Sequence, residues 1–297
     1  VFSIKEGLEE RMEKFFFDDT YGAAEKRLLK AAHYLATNWE FSIIYRLNSD
    51  SFGSRNYALE ETRRNIENQI EEFMDIESVH KLLFNNNLKE FLNLVGQLRF
   101  QQRWAQTPRI PETSVAGHML IVAVISYMMA LEMDACDKRR YNTFFSGLFH
   151  DLPEVLTRDI ISPVKSSVEG LSFLIKGIEE EQMQKVIYPM LPENWVEEIR
   201  YFTENEFDSR IISDGKVVKV DISDINSKYN EDRWSPVDGQ LIEFCDKFAA
   251  YIEAYLSIKH GITSRNLEEG HKHIYEKFSN CILDGRNYGL LLDYFRI

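Results

Sequence analysis

Along most of this chain, apolar and polar positions recur with the spacing of an α-helix. AAEKRLLKAAHYLA (23–36) and YALEETRRNIENQIEEFM (57–74) set apolar residues three and four apart between charges, which predicts amphipathic helices. NSDSFGSRN (48–56) is a turn-rich break between them, and NNN (85–87) precedes a further apolar-faced segment, LKEFLNLVGQLRF. RWAQTPRIPETS (103–114), with two prolines and a closing Thr-Ser, reads as an extended lead-in to a helix cap. A long apolar helix should run from there to about Met133. DKRRYNTFFSGLFHD (137–151) predicts another helix, which Pro153 ends, so His150 and Asp151 fall at a helix terminus. Helices are expected at about 166–189 and 192–204. RIISDGKVVKVDISDI (210–225) instead flanks Asp-Gly with β-branched runs, the pattern of a short hairpin. DGQLIEFCDKFAAYIEAYLSI (238–258) is strongly helical, and a last helix should begin near Arg265. The expected architecture is all-α, with an N-terminal helical segment over 1–95, a helical core over 96–297 and one short β-hairpin.

Composition supports a folded chain: 44% of residues are hydrophobic, and 14 Gly and 7 Pro are too few for a disordered or turn-rich protein. Lys and Arg number 35 against 48 Asp and Glu, a net charge of −13 without any basic block. Such a chain repels long nucleic acids and anionic membranes, and it admits a small anion only where basic residues gather locally. Three cysteines, at 136, 245 and 281, form no CxxC pair, which excludes a cysteine zinc site and fits a reducing cytoplasm. The longest apolar run, Met119–Leu131, has 13 residues and reads as a buried core helix, since a bilayer needs roughly 20. The opening VFSIKEGLEERMEKFFF carries charge where a signal peptide would be apolar, so a cytoplasmic location is expected.

The chemistry-bearing residues are His118, the pair His150 and Asp151, and Asp246, on three separate predicted helices. Imidazole and carboxylate without thiolate suit one catalytic divalent ion with open positions, among Mn, Co, Fe, Ni, Zn and Mg. Singly, each residue is more simply a core histidine or a helix carboxylate. Set together in the apolar contexts SGLFHDLPEV and LIEFCDKFAAYI, they would be costly to bury without a partner or a metal.

This H…HD…D order on helices resembles the HD-domain metal-dependent phosphohydrolases, and within them the bacterial 5′-deoxyribonucleotidases. The likeness spans roughly residues 96–260 and rests on RW (103–104) and on HDLPEVLTRDIISPVK (150–165), with Glu154, Leu156, Thr157, Asp159, Pro163, Val164 and Lys165 as counterparts. The resemblance implies that His118, His150, Asp151 and Asp246 hold the metal and that Glu154 and Asp159 take part in catalysis. Arg103, Trp104, Thr157 and Lys165 would then bind substrate, with Arg103 and Lys165 on the phosphate and Trp104 on a sugar or base. Gly117 departs from the pattern, since the family usually has Glu directly before the first His. No histidine lies between 152 and 245, which argues for one metal and against the two-metal phosphodiesterases.

The function so implied is removal of phosphate from a small phosphomonoester, chiefly a (deoxy)nucleoside 5′-monophosphate. The alternatives are a non-catalytic nucleotide- or metal-binding regulatory module and a hydrolase of nucleoside triphosphates. The expected partner is a small phosphorylated substrate, with neither long nucleic acid nor membrane. The first 95 residues leave open a homodimer interface, a lid or a docking surface.

Overall fold

The structure, a computed structural model, describes residues 7–48, 57–157 and 170–297. The chain divides into two compact units, Val1–Asn93 and Leu94–Ile297.

The first unit is built from α1 (Leu8–Phe17), α2 (Ala23–Asn48), α3 (Tyr57–Glu71) and α4 (Glu77–Phe84), and α5 (Asn86–Val95) leads to its boundary. The periodicity of 23–36 understates α2, which runs for 26 residues. Ala31, Ile66, Ile70, Phe73 and Val79 form its small core, with Tyr34, Leu35 and Phe41 packed against them. Asn85 ends α4 and accepts the Leu88 N–H at 3.1 Å, so the asparagine run is a helix-to-helix junction.

The second unit is organised around α6 (Val115–Glu132), α7 (Asp137–Phe149) and α12 (Gly239–Lys259). Ser114 caps α6 by accepting the Gly117 N–H at 3.0 Å, as the Thr-Ser signal implied. α6 packs along α7, and α12 packs against both. Gly147 permits the close approach of the first two, because a Cβ there would lie 3.1 Å from Ala123 Cα. At 18 residues α6 is long and apolar enough to cross a membrane, more than the apolar run suggested, yet half of its residues are buried within the protein. Val122, Met129, Leu241, Phe244, Cys245 and Tyr251 belong to the core that these helices share with α13 (Arg265–Phe278).

Past α7 come α8 (Glu154–Thr157), α9 (Leu171–Gln182) and α10 (Glu193–Thr203). α9 passes into a wider helical turn at Met183–Ile187, so the helix expected over 166–189 changes geometry part-way. Phe202 stacks on Phe145 and Phe149, with ring centroids 5.8 and 6.2 Å apart, which seats α10 on α7. β1 (Arg210–Ser213) and β2 (Lys216–Lys219) form the expected hairpin, closed by Asp214 and Gly215 at φ of 49° and 71°. A single turn, α11 (Ile222–Asp224), precedes α12. A second hairpin that the sequence reading did not anticipate joins β3 (Ile282–Leu283) to β4 (Arg286–Asn287) through Asp284 and Gly285, before the closing turn α14 (Leu290–Asp293). Its strands of two residues are too short to show alternation.

Candidate metal centre

Three elements bring the site together. His118 lies in the first turn of α6, fully buried, and its backbone N–H bonds to Ser114 O at 2.9 Å. His150 and Asp151 follow the last turn of α7, and Asp246 lies on the buried face of α12. His118 Nε2 is 2.9 Å from Asp246 Oδ1. His150 Nε2 is 3.1 Å from Asp151 Oδ2 and 3.9 Å from Asp246 Oδ1. His150 Nδ1 donates to Gly147 O at 2.8 Å, which turns Nε2 toward the carboxylates of Asp151 and Asp246. That buried Nε2 makes no hydrogen bond, so it is an orphaned polar atom aimed at the cluster, and without a proton it could serve as a metal ligand.

Arg103 and Trp104 reach the same place from the loop before α6. Arg103 N bonds to Thr113 O at 2.9 Å, which fastens the loop beside the α6 cap. The guanidinium lies 3.4 Å from Asp151 Oδ2, 4.0 Å from Asp246 Oδ1 and 3.9 Å from Glu253 Oε2. Trp104, in the left-handed region at φ 59°, donates from Nε1 to Glu253 Oε2 at 2.9 Å. Its ring lies on Gly270 of α13, where a Cβ would come within 2.8 Å of Cη2. Lys247 Nζ is 2.7 Å from Asp246 Oδ2.

The electrostatics are those of buried charges held by their neighbours. Burial opposes charge on His150, but Asp151 and Asp246 overcome it and push the imidazole up to about 9. Burial likewise opposes ionisation of Asp151, and His150 and Arg103 nevertheless hold it well below the usual carboxylate range. Asp246 is also held far down against its burial, by Lys247 and the two histidines. Glu253 is depressed against its burial by His118 and Arg103. The three carboxylates therefore stay ionised, with Arg103, Lys247 and His150 as their countercharges.

A family model described as HD domain matches residues 95–275. The chain belongs to the HD domain family. HD domains bind a divalent metal, and here His118, His150 and Asp151 each offer one ligand atom, all within 4.8 Å of one another. The donor set suits such an ion, imidazole and carboxylate without a thiolate, and Asp246 Oδ1 stands beside the group, within 4 Å of both Nε2 atoms. A 5′-deoxynucleotidase of Pectobacterium atrosepticum is 27% identical to this HD-domain chain over 126 residues, 41% of this chain and 63% of that protein. One of Vibrio vulnificus is 30% identical over 115 residues, 38% of this chain and 59% of that protein. The match thus spans less than two thirds of these curated relatives. A crystal structure of an HD-domain phosphohydrolase from Listeria innocua aligns with a TM-score of 0.49 at 18% identity, over 64% of this chain and 79% of that one.

Of the other residues singled out in this HD domain, Glu154 is buried one turn past Asp151, its N–H on Asp151 O at 3.1 Å. Thr157 donates to Glu179 at 3.1 Å. Asp159, Pro163, Val164 and Lys165 lie outside the described residues. Gly117 sits one residue before His118 at the cap of α6, where a Cβ would come 3.2 Å from Ser114 Oγ.

The sequence reading missed three residues of the HD-domain site: Lys247, Arg109 and Glu253. Arg109 is buried with Nη1 on Glu253 O at 3.2 Å. Glu253 is the most informative omission: its Oε1 is 3.2 Å from His118 Nδ1, and it stands seven residues after Asp246 on the same helix face. That spacing was the available signal. A cleft of about 230 Å³ opens beside His150, lined by Pro153, Lys176, Glu179, Glu204 and Glu206 among others.

Proposed function

We propose that this chain is a metal-dependent phosphohydrolase that releases phosphate from a nucleoside 5′-monophosphate, with a deoxyribonucleotide as the first candidate. The observation that carries the reading is the grouping of His118, His150 and Asp151, with Asp246 within 4 Å of both imidazoles and Arg103 beside both carboxylates. Support for the substrate class comes from the two relatives described as 5′-deoxynucleotidases.

His118, His150, Asp151 and Asp246 would hold a divalent ion, which when bound would supply Lewis acidity and lower the pKa of water. Arg103 offers a planar fork to the phosphate oxygens, and Lys247 adds a second positive charge. Glu154, just past Asp151, orients the attacking water and passes its proton toward the leaving alkoxide, and Asp159 and Lys165 keep the roles that the resemblance assigns them. Trp104 fixes the site through Glu253, so its indole N–H serves the protein rather than the base.

The cleft beside His150 favours a monophosphate over a triphosphate. Its lining includes Glu179, Glu180, Glu204 and Glu206 against Lys176, so extra phosphates would meet like charge. Cys136, Cys245 and Cys281 are all free thiols, which fits a reducing cytoplasm.

The test is phosphate release from nucleoside 5′-mono- and triphosphates with added Mn(II) or Co(II), comparing wild type with Asp151→Ala and Glu154→Ala. Monophosphates should turn over and both variants should fail. A wild type that releases nothing while binding nucleotide would favour the regulatory-module reading.

A further inference from the structure

We propose that Glu253 is a positioning residue of the metal centre, which sets the tautomer and orientation of His118 and ties that ring to the Arg103–Trp104 loop. The inference rests on His118 being a ligand in the function proposed above.

The geometry is specific. Asp246 and Glu253 lie two turns apart on one face of α12, roughly 10 Å along its axis. The imidazole of His118 fills the gap between them, with Nε2 2.9 Å from Asp246 Oδ1 and Nδ1 3.2 Å from Glu253 Oε1. One helix face thus addresses both edges of one ring. Nε2 is the nitrogen that faces Asp246, and the centroid of the neighbouring His150 ring lies 5.7 Å from that of His118. For Nε2 to present its lone pair there, the proton must sit on Nδ1, and Glu253 Oε1 is placed to accept it. A carboxylate in that position also makes the imidazole a stronger donor to a metal.

Glu253 is itself held. Its other oxygen accepts the Trp104 indole N–H at 2.9 Å, and Arg109 donates to its backbone carbonyl at 3.2 Å. The side chain is 5% exposed, so water cannot substitute for these partners. Arg103 Nε lies 3.9 Å from the same Oε2 that Trp104 engages. One buried carboxylate therefore couples the ligand ring to the loop that carries the proposed phosphate fork. A plain structural carboxylate would need only the Trp104 bond, whereas the second oxygen is spent on the far nitrogen of the ligand.

The test compares wild type, Glu253→Gln and Glu253→Ala in the full chain by calorimetric titration with Co(II), alongside thermal unfolding of the metal-free proteins. Glu253→Ala should weaken Co(II) binding by about 10–100-fold. Glu253→Gln keeps an acceptor oxygen for the Nδ1–H and should recover part of that loss. Wild-type affinity in Glu253→Ala, or equal losses in both variants, overturns the proposal, as does a fall in unfolding temperature with Co(II) affinity unchanged. Should Glu253→Ala fail to fold, long-range proton–nitrogen spectra of wild type decide: the proposal expects the His118 proton on Nδ1, and a proton on Nε2 overturns it. These outcomes are separable from the proposed function. A wild type that binds Co(II) but cleaves no nucleotide removes the activity and leaves Glu253 standing. If wild type binds no Co(II), the His118 tautomer of the metal-free chain decides alone.

Discussion

Arg139 on α7 and Asp238 at the start of α12 form a two-pronged ion pair, Nε to Oδ2 at 2.7 Å and Nη2 to Oδ1 at 2.9 Å, with both side chains fully buried. Burial pushes the Asp238 carboxyl up even though Arg139 pulls it down, which marks how thoroughly water is excluded. The pair joins the helix that ends in His150 to the helix that carries Asp246. Arg139→Leu, which leaves Asp238 buried alone, should cost about 3–5 kcal/mol in urea unfolding. The double variant Arg139→Leu/Asp238→Leu should recover much of that stability. A single variant within 1 kcal/mol of wild type, on the order of a surface change, would refute the coupling.

Arg103 lies within 4.0 Å of three carboxylates, and its planar fork suits a tetrahedral phosphate better than a lysine point charge does. Arg103→Lys should therefore lower kcat/KM for a nucleoside monophosphate by about tenfold or more, about 1.4 kcal/mol of transition-state binding. Steady-state phosphate release checks this, and an unchanged kcat/KM would remove Arg103 from the substrate.

Gly270→Ala would set a methyl 2.8 Å from the Trp104 ring. The ring is pinned on the other side by its bond to Glu253, so relief must come from backbone or side-chain shifts. The expected loss is about 1–3 kcal/mol, from overpacking. A smaller loss for the same change in a Trp104→Phe background, measured as a double-mutant cycle, would show that the clash runs through this ring.

His271 stacks on Tyr251 at 3.9 Å between ring centroids and donates from Nε2 to Phe295 O at 2.9 Å. Burial pushes its imidazole below the ordinary value of 6.5. Between the folded and unfolded values the unfolded chain binds more protons, so stability is complete above 6.5 and declines as pH falls through and below it. Unfolding temperatures measured from pH 7.5 to 5, on the order of one unit either side of that range, should fall more steeply for wild type than for His271→Gln. Parallel curves would sink the assignment.

Much of the site was legible because its residue types are costly in their surroundings: a histidine and carboxylates inside apolar helices ask for partners whatever the fold. The Asp214–Gly215 hairpin was legible because four residues of strand lie on each side, whereas Asp284–Gly285 had only two. Glu253 was not legible as a partner of His118, since a single carboxylate on a helix is ordinarily solvated and only three-dimensional packing brings α12 against α6. The cleft beside His150 draws its lining from three segments between 150 and 206, a juxtaposition that no local pattern encodes.

The proposed ligands come from α6, from the end of α7 and from α12, and in an unfolded chain these lie far apart. An ion can bind them together only in the folded protein, so its binding free energy adds to folding, by about 2.7 kcal/mol at a free concentration one hundred times Kd. Metal supply in the cell would then govern how long each copy survives proteolysis as well as how fast it works, and scarcity would thin the population of molecules before it slowed those that remain.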